Sequence, residues 1–553
     1  MFGVPGDTGV IFYDALHSAR HRIRHVLARD ERHAAVMADA FARVTNRVGA
    51  VEVSSGGGTT YVVGGLGEAY AASVPVLVIT SDIHRRSRGT GALTEIDQLA
   101  LFSAVTKWAQ VVESATDIPA SVAEALRRAT SGRPAPVVLI FPEDVLDEPV
   151  PPPWLQKQEL DAVPLERPAA DGASVRSAAD ALARAARPAV VAGSGVHLSQ
   201  AWDALATLAE QAGVPVATTI HGKGSISESS PWSLGVAGGN GGRTYANEYL
   251  SSADAVLFVG TRANSTDTNS WTSPSPAGGA KIFRNDIDAQ RAGGNFRGSV
   301  PLCGDSRTVL EQLLDAHPGV AAETARQRRQ WIETERANWR EAQARDRDQP
   351  GARGVLPAEI VTAVRDILGP DTLVVADPGT PTPNLACFWD IEHAGRSIIT
   401  PRGHGPMGYA IPASVGIALA CPERPVVAFT ADGSFAMACG ELETVARLSL
   451  PVMFIQMTNG SLGWIKMLQH LYAGSRYFGV DLGAIDSPAV AKACGMDALR
   501  AGELPGLRQA ITEFSKNRLP LYIDVPVPDL ATVTPPVASW LGGADSGSTR
   551  PVY

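Results

Sequence analysis

Two polar residues in the last third of the chain each end an apolar run. Asp432 ends PVVAFTAD and Asn459 ends PVMFIQMTN. A carboxylate and an amide oxygen suit Mg²⁺, which keeps phosphate oxygens as further ligands. Gly433 lets the backbone approach a phosphate, and a helix that starts near Ser434 turns its N–H groups toward the same anion. The pattern predicts a magnesium–phosphate site; the alternative is an ordinary strand-end aspartate and a turn asparagine.

The elements that must position these residues are short buried strands alternating with amphipathic segments. Eight apolar runs end in Gly, Asp or Pro, which is typical of buried parallel strands. The runs begin at Pro75, Pro136, Pro188, Asp254, Thr372, Pro425, Pro451 and Pro520. Because helical segments such as HAAVMADAFARV lie between them, the sequence predicts doubly wound α/β domains, whose ligands gather at the carboxyl ends of the strands.

Two segments interrupt this alternation and divide the chain. Residues 147–172 are rich in proline and charge and are predicted to be a linker, and residues 324–354 form a charged helix that runs into a Pro/Gly break. We therefore expect three α/β units, at residues 1–150, 170–325 and 354–530. A loose Gly/Ser-rich tail is expected after Trp540.

Composition excludes several classes of protein. The 553 residues are 45% hydrophobic and 19% charged, enough for large buried cores. The net charge of -9 argues against nucleic acid or an anionic membrane as the main partner. No apolar run reaches the ~20 residues that a transmembrane helix needs, and the first residues lack the features of a secretory signal. Five scattered cysteines without a CxxC pair indicate reduced thiols, so we expect a cytoplasmic protein.

The strand-end pattern resembles the signature of the thiamine diphosphate (ThDP) enzymes of the acetolactate synthase and benzoylformate decarboxylase group. That signature is GDG followed further along by Asn, whereas this chain has ADG, with Ala431 replacing the first glycine. The resemblance implies that Mg²⁺ is held by Asp432, the side chain of Asn459 and the main-chain carbonyl of Ser461.

A second match lies near the N-terminus, where RDERHAAVMADAFARVT resembles the family's segment around its single essential glutamate, here Glu31. The cofactor's own 4′-amino group removes the thiazolium C2 proton. A carboxyl group hydrogen-bonded to the pyrimidine N1′ stabilises the imino tautomer that accepts this proton, and an apolar pocket raises the pKa of that carboxyl. Without the C-terminal motif, an exposed glutamate at a helix start is the better interpretation.

Further segments extend the resemblance over almost the whole chain. GHGPMGYAIPASVGIALA and VVADPGTPTPN match cofactor loops of the family. By resemblance, Met407 is the wedge that bends the cofactor, although a methionine is often simply core. The carbonyl of Gly405 accepts from the 4′-amino group. The implied contacts to the diphosphate are Gly379, Thr380, Thr382, Gly433 and Ser434.

The family normally has a strand and a helix before FGVPG, so the first strand is expected to be clipped. Either the start is misassigned, or a neighbouring element covers the edge of this strand.

The middle unit resembles the central domain of acetolactate synthases, which often binds FAD. GGNGGRTYAN has one residue more than the usual form and lacks its Met-His pair, so FAD is doubtful as a cofactor. In this family ThDP lies between the first domain of one subunit and the third domain of another. The resemblance therefore implies a homodimer or homotetramer whose other partners are a 2-oxo acid and a carbonyl acceptor, with no nucleic acid and no membrane.

The substrate pocket departs from that of acetolactate synthases. Those enzymes have Phe-Gln-Glu where this chain has Leu93, Thr94 and Glu95, and Met and Val where it has Trp464 and Ile465. Thr94 therefore occupies the position of the Gln that faces the substrate in those enzymes. The Trp464 indole either reduces the volume of the pocket or stacks on an acceptor, unless this residue belongs to the core. These differences put pyruvate-plus-pyruvate specificity in doubt.

The resemblance implies a carboligase or lyase that decarboxylates a 2-oxo acid and adds the remaining fragment to a carbonyl acceptor. The nearest alternative is a nonoxidative decarboxylase of the benzoylformate decarboxylase type. The histidines of such decarboxylases are replaced by Ser54 and Asp267, which favours addition to an acceptor. A ThDP-fold protein without catalysis is less favoured, because Glu31, Asp432 and Asn459 are all present. A flavin or nicotinamide dehydrogenase would need a GxGxxG that FGVPGD does not supply.

Overall fold

The computed structural model describes residues 1–149, 159–275, 278–347 and 354–545, and its strands form three six-stranded parallel sheets flanked by helices. The predicted α/β class with three doubly wound parallel sheets is confirmed. Residues 150–158 of the predicted linker, 348–353 of the Pro/Gly break and 546–553 of the tail lie outside the described residues. None of the helices in the described ranges has the length and apolar character needed to cross a bilayer.

The first sheet has the order β2-β1-β3-β4-β6-β5. Its strands are β1 Phe2–Val4, β2 Val26–Leu27, β3 Gly49–Val53, β4 Val76–Asp82, β5 Trp108–Val111 and β6 Val137–Pro142. Its helices are α1 Val10–Ser18, α2 Glu31–Thr45, α3 Gly57–Ala72, α4 Gln98–Phe102, α5 Ile118–Thr130 and α6 Glu143–Leu146, with 3₁₀ turns at Asp7–Gly9, Arg85–Ser87 and Ala115–Asp117. Strand β1 is not an edge strand, because β2 and β3 pair with it on either side.

The second sheet has the order β12-β11-β10-β7-β8-β9. Its strands are β7 Pro188–Ala192, β8 Val216–Thr218, β9 Ser233–Val236, β10 Ala255–Val259, β11 Lys281–Asp286 and β12 Val300–Cys303. Its helices are α7 Gly172–Arg184, α8 Ser194–Leu198, α9 Trp202–Ala212, α10 Thr244–Ser251, α11 Ala289–Ala292, α12 Ser306–Ala316 and the predicted charged helix, α13 Ala322–Arg347.

The third sheet has the order β14-β13-β15-β16-β18-β17. Its strands are β13 Leu373–Ala376, β14 Ile398–Ile399, β15 Val426–Ala431, β16 Val452–Thr458, β17 Asp497–Arg500 and β18 Leu521–Pro526. Its helices are α14 Pro357–Leu368, α15 Pro381–Phe388, α16 Ala410–Ala420, α17 Asp432–Ala438, α18 Glu441–Arg447, α19 Gly463–Tyr472, α20 Ser487–Ala493, α21 Leu504–Asn517 and α22 Ala538–Asp545. The first and third sheets share one strand order, and the second has another.

The first and third sheets are joined by one hydrophobic core. The sequence of α16, AIPASVGIALA, is apolar on every side, which is typical of a helix buried between other layers. It packs on α2 so closely that a Cβ at Gly416 would lie 2.1 Å from the carbonyl oxygen of Met37. Because only glycine permits this approach, Gly416 fixes how the two domains of one chain meet.

Candidate active site

A cavity of about 290 Å³ opens at the carboxyl ends of four neighbouring strands in the third sheet. The loops that follow β14, β13, β15 and β16 form its wall, as expected for a ligand site in a parallel sheet. The predicted site residues that line it are Gly379, Thr380, Gly405, Met407, Asp432, Gly433, Ser434, Asn459, Ser461, Trp464 and Ile465. The structure thus brings together most of the residues that the sequence selected.

The two proposed metal ligands are neighbours in this cavity. Asp432 Oδ2 accepts hydrogen bonds from the backbone N–H groups of Asn459 at 3.2 Å and Gly460 at 2.6 Å. Asn459 Oδ1 in turn accepts from the backbone N–H of Ser461 at 3.2 Å and from its hydroxyl at 3.1 Å. Burial raises the pKa of Asp432, because its charge loses hydration. A bound cation would offset this loss.

The wall beside Asp432 leaves room for an anion. Ser434 Oγ is buried and has no hydrogen-bond partner among the described residues. A Cβ at Gly433 would lie 2.9 Å from Met407 Cε and 2.8 Å from a methyl group of Leu462, so a larger residue here would have to displace these two side chains. The Met407 side chain is 36% exposed, and therefore its tip is part of the cavity surface rather than of the core.

Thr382, which the resemblance places at the diphosphate, does not line the cavity. It lies in α15, is fully buried, and its hydroxyl donates to the carbonyl oxygen of Asp377 at 2.7 Å. The helix that begins at Pro381 turns this residue inward, whereas Gly379 and Thr380 precede that helix and face the cavity.

Hydrogen bonds of Asp377 connect the ends of β13 and β15 to the loop that carries Met407. Its carboxylate accepts from the Thr430 hydroxyl at 2.7 Å and from the backbone N–H groups of Tyr409 at 2.8 Å and Ala410 at 3.1 Å. Complete burial raises the pKa of Asp377 to about 6. Asp377 therefore positions the start of α16, directly after the proposed wedge.

Glu68, in α3 of the first domain, holds a cavity loop of the third domain. Its carboxylate accepts hydrogen bonds from the backbone N–H groups of residues 403–405 at 3.0, 2.6 and 3.3 Å. Arg43 donates to the same carboxylate at 3.1 Å and to Asp39 at 2.9 Å. Asp39 also accepts a short hydrogen bond from the Tyr409 hydroxyl. This buried network orients the backbone around Gly405.

We expect Glu68→Leu to destabilise the protein by about 3–5 kcal/mol, because the buried Arg43 and three backbone N–H groups lose their acceptor. Glu68→Gln keeps one acceptor oxygen, and its loss should be about half as large. Thermal unfolding of the two variants measures the difference. Equal midpoints for wild type and Glu68→Leu would show that the network does not hold the loop.

The first domain contributes a separate half-site. Glu31 begins α2, and its carboxylate lies over the start of α3, where a Cβ at Gly58 would be 3.4 Å from Glu31 Oε1 and 3.1 Å from Ser54 Oγ. Thr94 lies in the same region, with its hydroxyl 2.8 Å from that of Ser55. Its φ of 68° is unusual for a β-branched residue, which marks a strained loop.

Within one chain the two half-sites do not meet. The lining of the cavity comes from Asn240 and from residues 378–465, and in the described ranges no residue of the first domain contributes to it. Glu31 and Thr94 therefore lie apart from the cavity that holds Trp464 and Ile465.

Comparisons with known proteins agree with this division into three. The chain matches the models of the N-terminal TPP binding, central, and C-terminal TPP binding domains of thiamine pyrophosphate enzymes at residues 1–101, 175–313 and 377–525. A probable acetolactate synthase large subunit of Methanocaldococcus jannaschii is 31% identical over 100% of this chain and 93% of that protein. The chain belongs to the thiamine pyrophosphate enzymes.

Other relatives of this thiamine pyrophosphate enzyme are similar along their full length. An acetolactate synthase of Mycobacterium bovis is 33% identical, over 98% of this chain and 87% of that protein. One from Arthrospira platensis is 31% identical, over 95% and 91%. The predicted family and the prediction of a ThDP-dependent enzyme are confirmed; thiamine pyrophosphate and ThDP are the same compound.

The cavity of this thiamine pyrophosphate enzyme fits the anionic half of the cofactor. The unpartnered Ser434 hydroxyl offers a donor, Gly433 adds no side chain beside it, and the oxygens of Asp432 and Asn459 suit a hard cation. No cluster of three or more His, Cys, Asp or Glu side chains in the described ranges forms a metal site, so a cation here would depend on phosphate oxygens as well.

Three polar residues that line the cavity of the thiamine pyrophosphate enzyme were not among the predicted site residues. Asn240 comes from the glycine-rich loop of the second domain, is 5% exposed, and has a buried Oδ1 without a partner in the described chain. Arg402 and His404 flank the loop that Glu68 holds. The departure of GGNGG from the family pattern was the one available signal for Asn240.

Proposed function

We propose that this enzyme is a ThDP- and Mg²⁺-dependent carboligase that decarboxylates a 2-oxo acid and adds the remaining fragment to a carbonyl acceptor. The observation that carries the proposal is the cavity in which Asp432, Asn459 and the unpartnered Ser434 hydroxyl lie together. Similarity along the whole chain to proteins named acetolactate synthase supports the same reaction class.

The proposal gives each residue a task toward the cofactor. Asp432, Asn459 and the carbonyl of Ser461 hold Mg²⁺, while Ser434 and the backbone at Gly433, Gly379 and Thr380 hold the diphosphate. When bound, ThDP supplies a nucleophilic carbon and accepts the electron pair released when CO₂ leaves.

The remaining residues orient the reactive half of the cofactor. Met407 would pack against this half, and the carbonyl of Gly405, whose loop Glu68 holds, would accept from the 4′-amino group. Glu31 holds a proton at the pyrimidine N1′. The chain's own contribution is therefore positioning and proton control.

The proposal requires a homodimer or homotetramer. Because Glu31 and Asp432 lie in separate half-sites of one chain, a complete site needs the first domain of one subunit and the third domain of another. Exposed apolar side chains occur in both half-sites, with Leu93 86% exposed and Ile465 45% exposed. Burial of these groups between subunits would favour association.

Trp464 is proposed to limit the size of the substrate. Its indole lines the cavity and also packs edge-on against Trp540 of α22, with the ring centroids 5.8 Å apart. Because Trp540 packs against the indole on one side and the cavity lies on the other, the ring has one fixed orientation. The side of the ring that borders the cavity forms a rigid wall beside Ile465. Thr94 would approach this wall only from the partner subunit.

A nonoxidative decarboxylase is the second candidate, and one observation favours it. His404 lines the cavity and is positioned by the backbone bond to Glu68. A histidine in this place could protonate the fragment left after CO₂ is lost, which would release an aldehyde.

Product analysis separates the two candidates. Enzyme with ThDP and Mg²⁺ is incubated with a panel of 2-oxo acids, with and without aldehyde or 2-oxo acid acceptors, and the products are identified by mass spectrometry. The carboligase predicts a coupled 2-hydroxy ketone or acid that requires the acceptor, ThDP and Mg²⁺. Aldehyde as the sole product would identify the decarboxylase.

FAD is not included in the proposal. The crevice between the first and second domains, which Arg133, Asp267 and Arg291 help to line, has a volume of about 70 Å³, against about 290 Å³ for the active-site cavity. Purified enzyme is expected to release no flavin on denaturation, as measured by fluorescence.

The five free cysteines support the cytoplasm as the proposed location.

A further inference from the structure

Asn240 is a polar residue of the active-site cavity to which the proposed function gives no task. It is 5% exposed, and its Oδ1 is buried without a hydrogen-bond partner in the described ranges. Among the buried side-chain atoms there that lack a partner, only this oxygen and Ser434 Oγ belong to residues that line the cavity. Ser434 is assigned to the diphosphate. Because an unpaired buried amide costs free energy, we expect its partner to be a group that enters the cavity.

Backbone hydrogen bonds hold the loop that carries Asn240 on both sides. The N–H of Gly239 donates to the carbonyl oxygen of Thr266 at 2.8 Å, and the N–H of Gly241 donates to that of Pro536 at 2.9 Å. The local sequence is GGNGG, so Asn240 has the only side chain of this stretch. The second domain and the C-terminal segment thus fix a single amide at the edge of the cavity.

The same loop lies beside the wall that limits the substrate in the proposed function. A Cβ at Gly239 would lie 3.7 Å from Nε1 of Trp540, and Trp540 packs edge-on against Trp464. Trp464 and Asn240 both line the cavity. The unpaired amide is therefore placed toward the part of the cavity that would receive the substrate.

The hydrogen-bonding capacity of an amide restricts the substrate group that can pair with it. A carbonyl or carboxylate oxygen only accepts, so it can pair with Nδ2 but leaves Oδ1 unpaired. A hydroxyl group also donates, and therefore it can pair with Oδ1.

We propose that Asn240 is a specificity-determining residue: its amide hydrogen-bonds a hydroxyl group of the substrate, so the enzyme prefers a hydroxylated 2-oxo acid or aldehyde to the analogue without that hydroxyl. The inference rests on the proposed function and names the substrate class of the same site.

Two matched pairs of substrates test this preference in the enzyme loaded with ThDP and Mg²⁺. Hydroxypyruvate and pyruvate are compared as donors, and glycolaldehyde and acetaldehyde as acceptors. In one pair we expect kcat/KM to be about 10–100-fold higher for the hydroxylated member, because its analogue leaves the buried amide unpaired. The pair that shows the preference identifies the substrate that carries the hydroxyl group. Equal kcat/KM values within both pairs would overturn the inference.

Asn240→Leu removes the amide and keeps a side chain of similar size, so the ratio of kcat/KM values within that pair should fall to about 1. Asn240→Asp keeps an oxygen that accepts from a hydroxyl group and should retain most of the ratio. Because a ratio is compared, a general loss of activity does not affect the result. Calorimetry measures the affinity for ThDP in parallel. An unchanged ratio in Asn240→Leu, with or without weaker binding of ThDP, would overturn the inference.

A second measurement needs neither cofactor nor activity. Replacement of an unpaired buried amide by an apolar group removes a cost, so the unfolding midpoint of Asn240→Leu should equal or exceed that of wild type. Asn247→Leu is the matched control, since Asn247 Oδ1 accepts from the N–H of Gly238 at 2.8 Å and Nδ2 donates to the carbonyl oxygen of Gly238 at 3.1 Å. Its midpoint should fall. An equal fall in Asn240→Leu would show that Asn240 only stabilises its loop, which would overturn the inference.

The inference and the proposed function fail in different ways. If no 2-oxo acid of the panel is decarboxylated, the proposed function is refuted. Turnover restricted to substrates without a hydroxyl group, or equal turnover of both kinds, would refute only the role of Asn240.

Discussion

Glu31→Gln enzyme is expected to exchange the C2 proton of bound ThDP about 10²–10⁴-fold more slowly than wild type, the range of a lost acid–base group. Gln cannot give a proton to the pyrimidine N1′, so the imino tautomer loses its stabilisation. Affinity for ThDP and Mg²⁺ should change little, because Glu31 is remote from the cavity that holds the anionic half of the cofactor.

The exchange rate is measured by NMR after the holoenzyme is diluted into D₂O and quenched with acid, and affinity is measured by calorimetry. Glu248→Gln is the matched control, since it removes an exposed carboxylate from α10 of the second domain. It should exchange at the wild-type rate. A wild-type rate in Glu31→Gln would refute the tautomer argument and with it the catalytic role of this residue.

Asp432→Ala is expected to abolish activity and to weaken binding of Mg²⁺ and ThDP by more than about 100-fold, because removal of even an outer-shell partner costs 10–100-fold. The substitution removes a metal ligand and also frees the N–H groups of Asn459 and Gly460 that Asp432 holds. The loop that carries Asn459 then loses its anchor, so both side-chain ligands are affected.

Thermal unfolding with increasing ThDP and Mg²⁺ measures this effect, since a ligand that binds the folded state raises the midpoint. The wild-type midpoint should rise and that of Asp432→Ala should not. Asp481→Ala is the control, because Asp481 pairs with Lys466 close to the same loop but does not line the cavity. An equal rise in Asp432→Ala and wild type would show that the metal is held elsewhere.

Eight of the eighteen strands in the described ranges could be predicted from apolar runs, whereas others, among them the inner strands β1, β3, β8 and β11, could not. The eight apolar runs correspond to β4, β6, β7, β10, β13, β15, β16 and β18, which are apolar on both faces because helices cover both sides. Strands β2 and β14 are two residues long, too short to give a periodic signal. The common strand order of the first and third sheets is a property of pairing, which local sequence does not encode.

Asp432, Gly433 and Asn459 could also be predicted, because they directly follow strands and the ends of parallel strands meet. Most of the other predicted cavity residues followed from the family resemblance. The position of Thr382 away from the cavity could not be predicted, because it lies inside α15, where the direction of a side chain depends on where the helix begins. Glu68 and Asn240 could not be found in this way. Their contacts join domains that are far apart in the sequence, and only the fold brings them to the site.

The central claim is that one site combines Glu31 of one subunit with Asp432 and Asn459 of another. Co-expression of Glu31→Gln and Asp432→Ala chains with different affinity tags, followed by purification of the mixed oligomer, tests it most directly. A mixed dimer then holds one site with both residues intact and one with neither. We predict about half of the wild-type ThDP-dependent activity for the purified mixed dimer, against almost none for either parent. An inactive mixed dimer with both chains folded would contradict the claim.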